Sequence, residues 1–413
     1  MERIIIHSDM NSCYASIECS LNPALKGKPM AVGGDEASRH GIILAKNEEA
    51  KKYGVKTAEP LWQARQKCPE LIIVEPHYDI YKEYSRRAHD IYARYTDIIE
   101  PMGLDEVWCD LTGSITLFGS AHNIIREIME SFKRELDITV SIGLSYNKIF
   151  AKLGSDLAGR DEFFEISKND YREKVWKLPV SVLFGVGRKT SKQLERYGIT
   201  TIGELAKCSE EWLAALFGVC GREMWLSANG LNCDKVAPDN YKEQSKSIGH
   251  GVTCKEDLEN NEEVWKVFLA LSQNVAKRMR LEKLSATGVQ ISVRDKYFIT
   301  KQFQCPLENP SQSAFEIAKV ATELFKSNYG WEHPVRAVTV RAINLTEEKT
   351  FKQIDFYTDY ARLQKQKSID DTVMKLRQKF GEDAIFNCCL MDEEKMPVFS
   401  TDEKKPAPFK AFK

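Results

Sequence analysis

Three acidic residues lie in or beside stretches of sequence that are otherwise typical of buried β-strands. Asp9 follows the apolar run at residues 4–6, and the adjacent pair Asp105 and Glu106 opens a second apolar stretch at residues 107–109. Such runs of β-branched and aromatic residues predict strands. A carboxylate buried without a partner costs free energy on the order of several kcal/mol. A divalent cation shared by the three acids would remove that cost, so the sequence predicts a metal site.

A second interpretation of the acidic pair stays open at this point. Adjacent Asp and Glu residues are common in surface turns, and Asp105 and Glu106 would then bind no metal. The strand context of Asp9 strengthens the metal interpretation, and both interpretations stay open on these residues alone.

Composition excludes several classes of protein. At 413 residues the chain exceeds the size of one hydrophobic core, and its hydrophobic content of 43% is ordinary for a globular protein. No apolar run approaches the roughly 20 residues of a membrane span, so no membrane association is expected. The N-terminus enters a strand without the pattern of a signal peptide, which predicts a cytoplasmic protein. The 11 cysteines form no CxxC pair, and we expect reduced thiols.

The order of predicted elements indicates an α+β (mixed α/β) protein of several domains. Strands and helices alternate up to about residue 165, and a mostly helical part with several glycines follows at 166–235. Residues 247–345 are mixed again. The charged tail beyond about residue 350 contains one predicted helix at 368–380, and disorder is expected past Met391.

The residues after Asp9 predict a nucleotide-binding turn. A helix is expected at residues 12–19, capped by Asn11 or Ser12. Free backbone N–H groups at such a helix start suit a triphosphate. Tyr14, in the first helical turn, would lie under the sugar of a nucleotide bound at the metals, or would be an ordinary core residue.

Two further motifs carry positive charge or glycine. Lys46, Lys51, Lys52 and Lys56 could contact phosphates, although such a run is usually a solvated helix face. The segment Phe184-Gly185-Val186-Gly187-Arg188-Lys189-Thr190 predicts a hairpin between two short helices. Its glycines would let backbone N–H groups approach a DNA phosphate, as in a helix-hairpin-helix motif. A plain αα-hairpin is the alternative.

Taken in order over about residues 3–345, these elements resemble the Y-family translesion DNA polymerases, particularly the bacterial DNA polymerase IV (DinB-like) branch. The resemblance implies a right-hand polymerase with a ferredoxin-like palm, small fingers, a helical helix-hairpin-helix thumb and an α/β little-finger domain. The implied boundaries are 1–11 and 77–167 for the palm, 12–76 for the fingers, 168–234 for the thumb, 235–241 for a linker, 242–345 for the little finger and 346–413 for the tail.

The resemblance also implies roles for individual residues. Asp9, Asp105 and Glu106 would be catalytic acids that bind two Mg²⁺ ions, with Mn²⁺ able to substitute. Tyr14 stands at the steric-gate position, which selects deoxynucleotides. The implied template roof comprises Ile42, Ile43 and Leu44, and the implied nucleotide-binding residues are Met10, Asn11, Ser12, Cys13, Tyr14, Lys46, Lys51 and Arg160.

The chain departs from the family pattern where the triphosphate is expected. Glu48 and Lys51 replace the Tyr and Arg of the finger motif, and Lys51 keeps the charge without the bidentate fork of arginine. Lys46 is the candidate substitute. The lysine expected near the end of the palm is absent, and Arg160 lies one position further on. Asn11 replaces an Asp that is not normally a metal ligand in the family.

Contacts with DNA and with a partner protein follow from the same resemblance. The implied DNA-binding residues are Gly185, Gly187, Arg188, Lys189, Thr190, Ser245, Lys246, Ser247 and Gly249. In the tail, Gln353-Ile354-Asp355-Phe356-Tyr357 is similar to a sliding-clamp-binding peptide, and an ordinary strand or turn is the alternative.

The predicted function is template-directed transfer of nucleotides from dNTPs to a primer 3′-OH, by a monomeric, low-fidelity enzyme without proofreading that acts in DNA damage tolerance and repair. Its predicted partners are primer-template DNA, dNTP and a sliding clamp. A two-metal phosphodiesterase or nuclease and a catalytically inactive DNA-binding recruitment protein are the alternatives.

Overall fold

A computed structural model describes residues 2–34, 41–239, 241, 244–348, 360–381, 384–385, 387–390 and 395. The chain divides into two compact units. The described residues up to 34 and at 42–241 form the first unit, and those from 244 onward belong to the second.

The first unit is built from short strands and helices. Its strands are β1 (Ile5–Met10), β2 (Met30–Gly33), β3 (Ile43–Lys46), β4 (Ile72–Val74), β5 (Ile99–Met102), β6 (Glu106–Asp110), β7 (Val140–Ser145) and β8 (Phe163–Ile166). Its helices are α1 (Cys13–Leu21), α2 (Glu48–Lys52), α3 (Leu61–Lys67), α4 (Tyr78–Tyr92), α5 (Ile115–Phe118), α6 (Ala121–Leu136), α7 (Lys148–Leu157), α8 (Tyr171–Val175), α9 (Arg188–Glu195), α10 (Ile202–Ala206), α11 (Glu210–Phe217) and α12 (Val219–Ala228).

A five-stranded sheet with the order β5-β6-β1-β7-β8 forms the centre of this unit. Strand β1 runs antiparallel to both of its neighbours, and Asp9 lies opposite Glu106 on β6. Side chains alternate between the two faces of a strand. Ile6 and Met10 therefore enter the core formed with α4 and α6, whereas His7 and Asp9 lie on the opposite face, where α7 packs.

Helix α7 lies unusually close to the sheet, because glycines face each other at the contact. A Cβ atom at Gly143 on β7 would be 1.9 Å from the carbonyl oxygen of Ala151, and one at Gly154 on α7 would be 2.9 Å from the Cα of Gly143. Only a residue without a side chain fits at these distances. The polar side chains of α7 are thereby held against the strands that carry Asp9 and Glu106.

Two smaller substructures complete the first unit. Strands β3, β2 and β4 form a three-stranded sheet with its own small core. Helices α8 to α12 gather around a separate apolar cluster that also receives Phe150 and Leu153 from α7. Past α12 the chain stays attached to this unit, since Val236 is buried and the Ala237 N–H donates to Glu100.

The second unit is a four-stranded antiparallel sheet with helices on one face. Its strands are β9 (Ser247–Leu258), β10 (Leu284–Asp295), β11 (Thr300–Ser311) and β12 (Val335–Glu347), in the order β11-β10-β12-β9. Helices α13 (Asn261–Leu281) and α14 (Ala314–Asn328) share one apolar core with the sheet. Helix α15 (Tyr360–Phe380) is attached to α13 through an ion pair of 2.9 Å between Asp370 and Arg280.

The mixed α/β class is confirmed, and the elements differ from expectation mainly at their ends. Strands β5 and β8 were not predicted, and β5 is short, lies at an edge and contains Pro101, so its pattern is weak. Strand β11 begins at Thr300, because the Asp295 carboxylate accepts the N–H groups of Tyr297 and Ile299 and forms a turn before it. Helix α15 begins at Tyr360, earlier than the predicted 368.

Two expectations concern membranes and the tail. None of the helices in the described part of the chain has the length and apolar character that crossing a membrane requires. The disorder expected past Met391 lies outside the described residues, of which only Lys395 falls in that stretch.

Candidate active site

Strand pairing brings the three acids of the sequence prediction together. Asp9 and Glu106 are cross-strand partners on β1 and β6, and Asp105 immediately precedes β6. The Met10 N–H donates to the Asp105 carbonyl oxygen over 3.0 Å, which ties the two strand ends to each other. The acids thus meet at one end of the central sheet.

A lysine that the sequence analysis did not single out lies among these acids. The Lys152 Nζ is 3.0 Å from Glu106 Oε1, 3.6 Å from Asp9 Oδ2 and 2.9 Å from Asp156 Oδ1. Lys152 and Asp156 lie on one face of α7, at i and i+4. Their proximity to the acids depends on which face of the sheet α7 covers, and no local pattern contains that information.

His7 is the second neighbour that sequence reasoning missed. Its ring is fully buried, with Nδ1 at 2.7 Å from Ser155 Oγ and Nε2 at 3.6 Å from Glu106 Oε2. Burial lowers the pKa of His7, so the imidazole is neutral at pH 7. A signal was present, because a residue two positions before Asp9 in a strand shares its face.

Burial and mutual repulsion perturb the acids in different directions. Burial, followed by the charge of Glu106, raises the pKa of Asp105 to about 6. The same two causes raise the pKa of Asp9. Burial would also raise the pKa of Glu106, but the neighbouring His7 and the charge of Lys152 outweigh it and hold this pKa below its usual range. The fold therefore stabilises one ionised carboxylate and disfavours charge on the other two.

The carboxylate oxygens of the three acids are the kind of donor that binds a hard divalent cation. Their present arrangement, however, does not form a metal site. All three acids offer carboxylate oxygens, which Mg²⁺ prefers, and Glu106 Oε2 is buried without a hydrogen-bond partner. Across the described residues, however, no group of three or more His, Cys, Asp or Glu side chains is arranged to hold a metal ion. Lys152 instead supplies the positive charge beside Asp9 and Glu106.

Tyr14 is half-buried and supported from behind by other aromatic rings. Its ring stacks on Tyr81 with centroids 4.2 Å apart and an interplanar angle of 10°. The Tyr81 hydroxyl donates to the buried Glu18 carboxylate over 2.5 Å, and His77 Nδ1 lies 2.8 Å from the same oxygen. Tyr14 is therefore partly accessible and fixed in orientation, unlike a fully buried core residue.

The start of α1 differs from the predicted cap. Ser12 is the N-cap residue, with φ of +49°, but its side chain makes no capping hydrogen bond. The Asn11 side chain turns away, donating to Ser141 Oγ over 2.7 Å and accepting from the Asp161 N–H over 3.1 Å. The side chains of Met10 and Cys13 are buried. Neither side chain is therefore available to a ligand, and the Met10 N–H already donates to the Asp105 carbonyl oxygen.

The three predicted triphosphate cations each have a local partner. Lys46 Nζ donates to Thr57 Oγ1 over 3.1 Å, and Arg160 Nε donates to Thr139 Oγ1 over 3.3 Å. Lys51 forms an ion pair of 3.5 Å with Glu48, so this acid faces a cation within its own helix.

The predicted template roof requires a correction at one position. Ile43 is fully buried in the core of the small three-stranded sheet and presents no surface to a ligand. Ile42 is 40% exposed and Leu44 is half-buried. Alternation along the strand explains the difference, because Ile43 lies on the opposite face from its two neighbours.

The glycine hairpin has the exposure that a phosphate contact requires. Gly185 has φ of +88°, and no atom lies within 4 Å of a Cβ placed on Gly185 or Gly187. Val186 is buried between them, while Arg188 and Lys189 at the start of α9 are exposed and Thr190 is half-buried.

In the second unit, the predicted DNA contacts lie at the start of the edge strand β9. Ser247 and Gly249 pair with Ile343 and Arg341 on β12, and Ser245 and Lys246 directly precede the strand. The predicted clamp-binding residues lie outside the described part of the chain; they are Gln353, Ile354, Asp355, Phe356 and Tyr357.

Comparison with known proteins identifies the class. The impB/mucB/samB family matches residues 8–156, and the C-terminal domain of the same family matches residues 245–356. A Y-family DNA polymerase chimera superposes with a TM-score of 0.74 at 21% identity, covering 83% of this chain and 99% of the chimera. The fold is thus that of the Y-family polymerases.

Two bacterial relatives define the branch. DNA polymerase IV of Acetivibrio thermocellus is 43% identical and covers 92% of this chain and 96% of its own length. DNA polymerase IV 1 of Bacillus subtilis is 35% identical and covers 98% of this chain and 99% of its own. The chain belongs to the impB/mucB/samB family of Y-family DNA polymerases, in its DNA polymerase IV (DinB-like) branch. Members of this family generally use divalent metal ions.

Proposed function

We propose that this chain extends a DNA primer on a template, with Asp9, Asp105 and Glu106 as its metal-binding catalytic acids. Family membership makes it a DNA-directed DNA polymerase of the translesion type, with DNA and nucleotides as substrates. The observation that carries the residue assignment is the register of β1 and β6, which places Asp9 opposite Glu106 with Asp105 beside them.

The proposed metal ions would supply the chemistry, and the three acids and their neighbours would position those ions. Two Mg²⁺ ions, or Mn²⁺ in their place, would activate the primer 3′-OH and stabilise the leaving pyrophosphate. The protein contributes the placement of the ligands. Strand pairing positions Asp9 and Glu106, and the buried His7 stands beside the oxygen of Glu106 that has no hydrogen-bond partner. Low fidelity and the absence of proofreading belong to the same proposal.

Nucleotide selection is assigned to the start of α1. The ring of Tyr14 would block a ribose 2′-OH, because its stack on Tyr81 keeps it from moving aside. Residues 10–14 would line the triphosphate, with the main-chain N–H groups of residues 12–14 as its donors, because those of Met10 and Asn11 already donate to the carbonyl oxygens of Asp105 and Thr139. Lys46, Lys51 and Arg160 would supply positive charge there, and Glu48 is tolerated because it pairs with Lys51.

Contacts with DNA are assigned to two places in the chain. The exposed hairpin Gly185–Val186–Gly187, with Arg188, Lys189 and Thr190, would hold a backbone phosphate. Ser245, Lys246, Ser247 and Gly249 would follow the template backbone. Ile42 and Leu44 remain as the proposed roof over the templating base.

The proposed domains follow the family pattern. They are a palm at 1–11 and 77–167, fingers at 12–76, a thumb at 168–234, a linker at 235–241, a little finger at 242–345 and a tail at 346–413. We propose further that the enzyme is a cytoplasmic monomer and that Gln353 to Tyr357 bind a sliding clamp.

Primer extension on a gapped template with Mg²⁺ and dNTPs tests the assignment. Asp105→Ala should abolish extension while DNA binding persists, because the acid contacts the reacting centre rather than the duplex. Asp110→Ala is the matched control, since it removes an acid from the far end of the same strand and should leave extension intact.

Each alternative has its own outcome in this assay. Shortening of the strand by the wild-type protein would indicate a nuclease, and binding without any reaction would indicate a recruitment protein. Extension by Asp105→Ala at the wild-type rate would refute the metal assignment.

A further inference from the structure

Lys152 is a nearly buried cation placed among the proposed metal-binding acids. Its side chain is 10% exposed, and its Nζ lies 3.0 Å from Glu106 Oε1 and 3.6 Å from Asp9 Oδ2. Because of its position and its charge, Lys152 is the counter-ion of the Asp9 and Glu106 carboxylates in the metal-free protein. Without it, acids gathered at one end of the sheet would repel each other in a poorly solvated site.

The lysine has a second acceptor that does not belong to the acid group. Asp156 Oδ1 lies 2.9 Å from Nζ, one helical turn further along α7, and its side chain is 45% exposed. A lysine side chain has four flexible carbons and three rotatable donors. It can therefore release Asp9 and Glu106 and remain paired with Asp156, with no movement of the helix backbone.

The position of Lys152 is imposed by the fold. The contact between Gly143 and Gly154 leaves no space for a side chain between α7 and β7 and holds this helix against the sheet. Ser155, on the same helix, is tied to His7 at 2.7 Å. A cation and divalent metal ions bound by the same carboxylate oxygens would repel each other strongly at such short distances.

We propose that Lys152 is a positioning residue that holds Asp9 and Glu106 in the metal-free enzyme and, when divalent ions bind, releases both and stays paired with Asp156 alone. The proposal rests on the assignment of these acids as the metal site. It predicts opposite effects for the two partners. Removing the lysine removes a competitor and strengthens metal binding, whereas removing Asp156 leaves the displaced lysine without an acceptor and weakens metal binding.

The test is a titration of the full chain with Mn²⁺ in the absence of nucleotide, in which electron paramagnetic resonance measures the dissociation constant. Lys152→Met should lower the dissociation constant by about threefold or more, and Asp156→Asn should raise it by a similar factor. The double variant shows whether Asp156 acts through Lys152 or only through its own negative charge. Asp156→Asn should have little effect in the Lys152→Met background.

Lys174→Met is the matched control. Lys174 forms an i,i+4 ion pair of 2.6 Å with Asp170 elsewhere in the same unit, so its loss should leave Mn²⁺ binding unchanged. A second measurement is thermal unfolding in EDTA and in MgCl₂. Lys152→Met should melt below the wild type in EDTA and gain more from Mg²⁺ than the wild type does, while Lys152→Arg should restore the wild-type melting temperature in EDTA.

The outcomes distinguish failure of the role proposed for Lys152 from failure of the assignment of the three acids as the metal site. Unchanged or weaker Mn²⁺ binding by Lys152→Met, or equal effects of Asp156→Asn in both backgrounds, would overturn the role of the lysine alone. If Asp105→Asn binds Mn²⁺ as the wild type does, the acids are not the metal site and both proposals fall.

Discussion

Asp9 and Asp105 are half-buried carboxylates whose ionised forms the surrounding protein disfavours. The pKa of Asp105 is raised to about 6, and that of Asp9 is raised for the same reasons. A globular core gains nothing from such groups, because desolvation of a charge costs more than most single contacts return. The metal site proposed for these two acids would account for their position, and members of the family generally use divalent metal ions. Residues that oppose stability in this way are typical of functional sites.

Selection between deoxynucleotides and ribonucleotides is assigned to a single residue, Tyr14, and can be tested by substituting it. We expect Tyr14→Ala to increase incorporation of ribonucleotides relative to deoxynucleotides by about one to two orders of magnitude, because it removes the ring proposed to exclude a ribose 2′-OH. Single-nucleotide extension with matched dNTP and rNTP measures the ratio. Tyr14→Phe is the control, since it retains the ring on Tyr81 and should retain the selectivity. An unchanged ratio in Tyr14→Ala would place the gate at another residue.

At the scale of elements, the packing of α7 on the central sheet decides which side chains join the acids. The helix itself was predictable, because Asn147 caps its first turn by accepting the Phe150 N–H and its apolar residues recur at helical spacing. The face of the sheet that it covers, and the small separation that the facing glycines allow, arise only when β7 and α7 pack together.

This contact yields a stability prediction. Gly143→Ala should lower the free energy of unfolding by about 3 kcal/mol or more, since the added methyl would lie 1.9 Å from the Ala151 carbonyl oxygen and the helix must move. Gly113→Ala is the control, because no atom lies within 4 Å of a Cβ at that position. Denaturant unfolding measures both. Equal stability of the two variants would show that α7 lies further from β7 than described.

For the whole molecule, the division into two units follows from where the apolar cores lie. The second unit encloses its own core between one face of its sheet and helices α13 and α14, with Phe268, Val289 and Phe325 fully buried. A core of this kind is the requirement for independent folding. The start of β9, with the half-buried Ser247 and Gly249, lies at the edge of the sheet.

We therefore expect residues 242–403 to fold when expressed alone. The fragment should show one cooperative thermal transition by circular dichroism, because the buried residues of this core, from Ile248 to Ala342, all lie within it. Val289→Asp, which places a charge in the core, should abolish the transition. A fragment that unfolds without cooperativity would mean that the second unit depends on the first.

Local sequence was sufficient to predict many of the elements, although not β5 and β8, and the residues that stand out from them. Acids in apolar strands, a tyrosine after a helix cap and glycines around Val186 are all visible within ten residues of chain, because strand alternation, capping and turn conformation are local properties. The five-stranded order, the burial of Ile43, the support of Tyr14 by Tyr81 and Glu18, and the placement of His7 and Lys152 beside Glu106 required the tertiary fold. Each joins residues that are distant in sequence, and only the packing of helices on a sheet in one register brings such residues within a few ångströms.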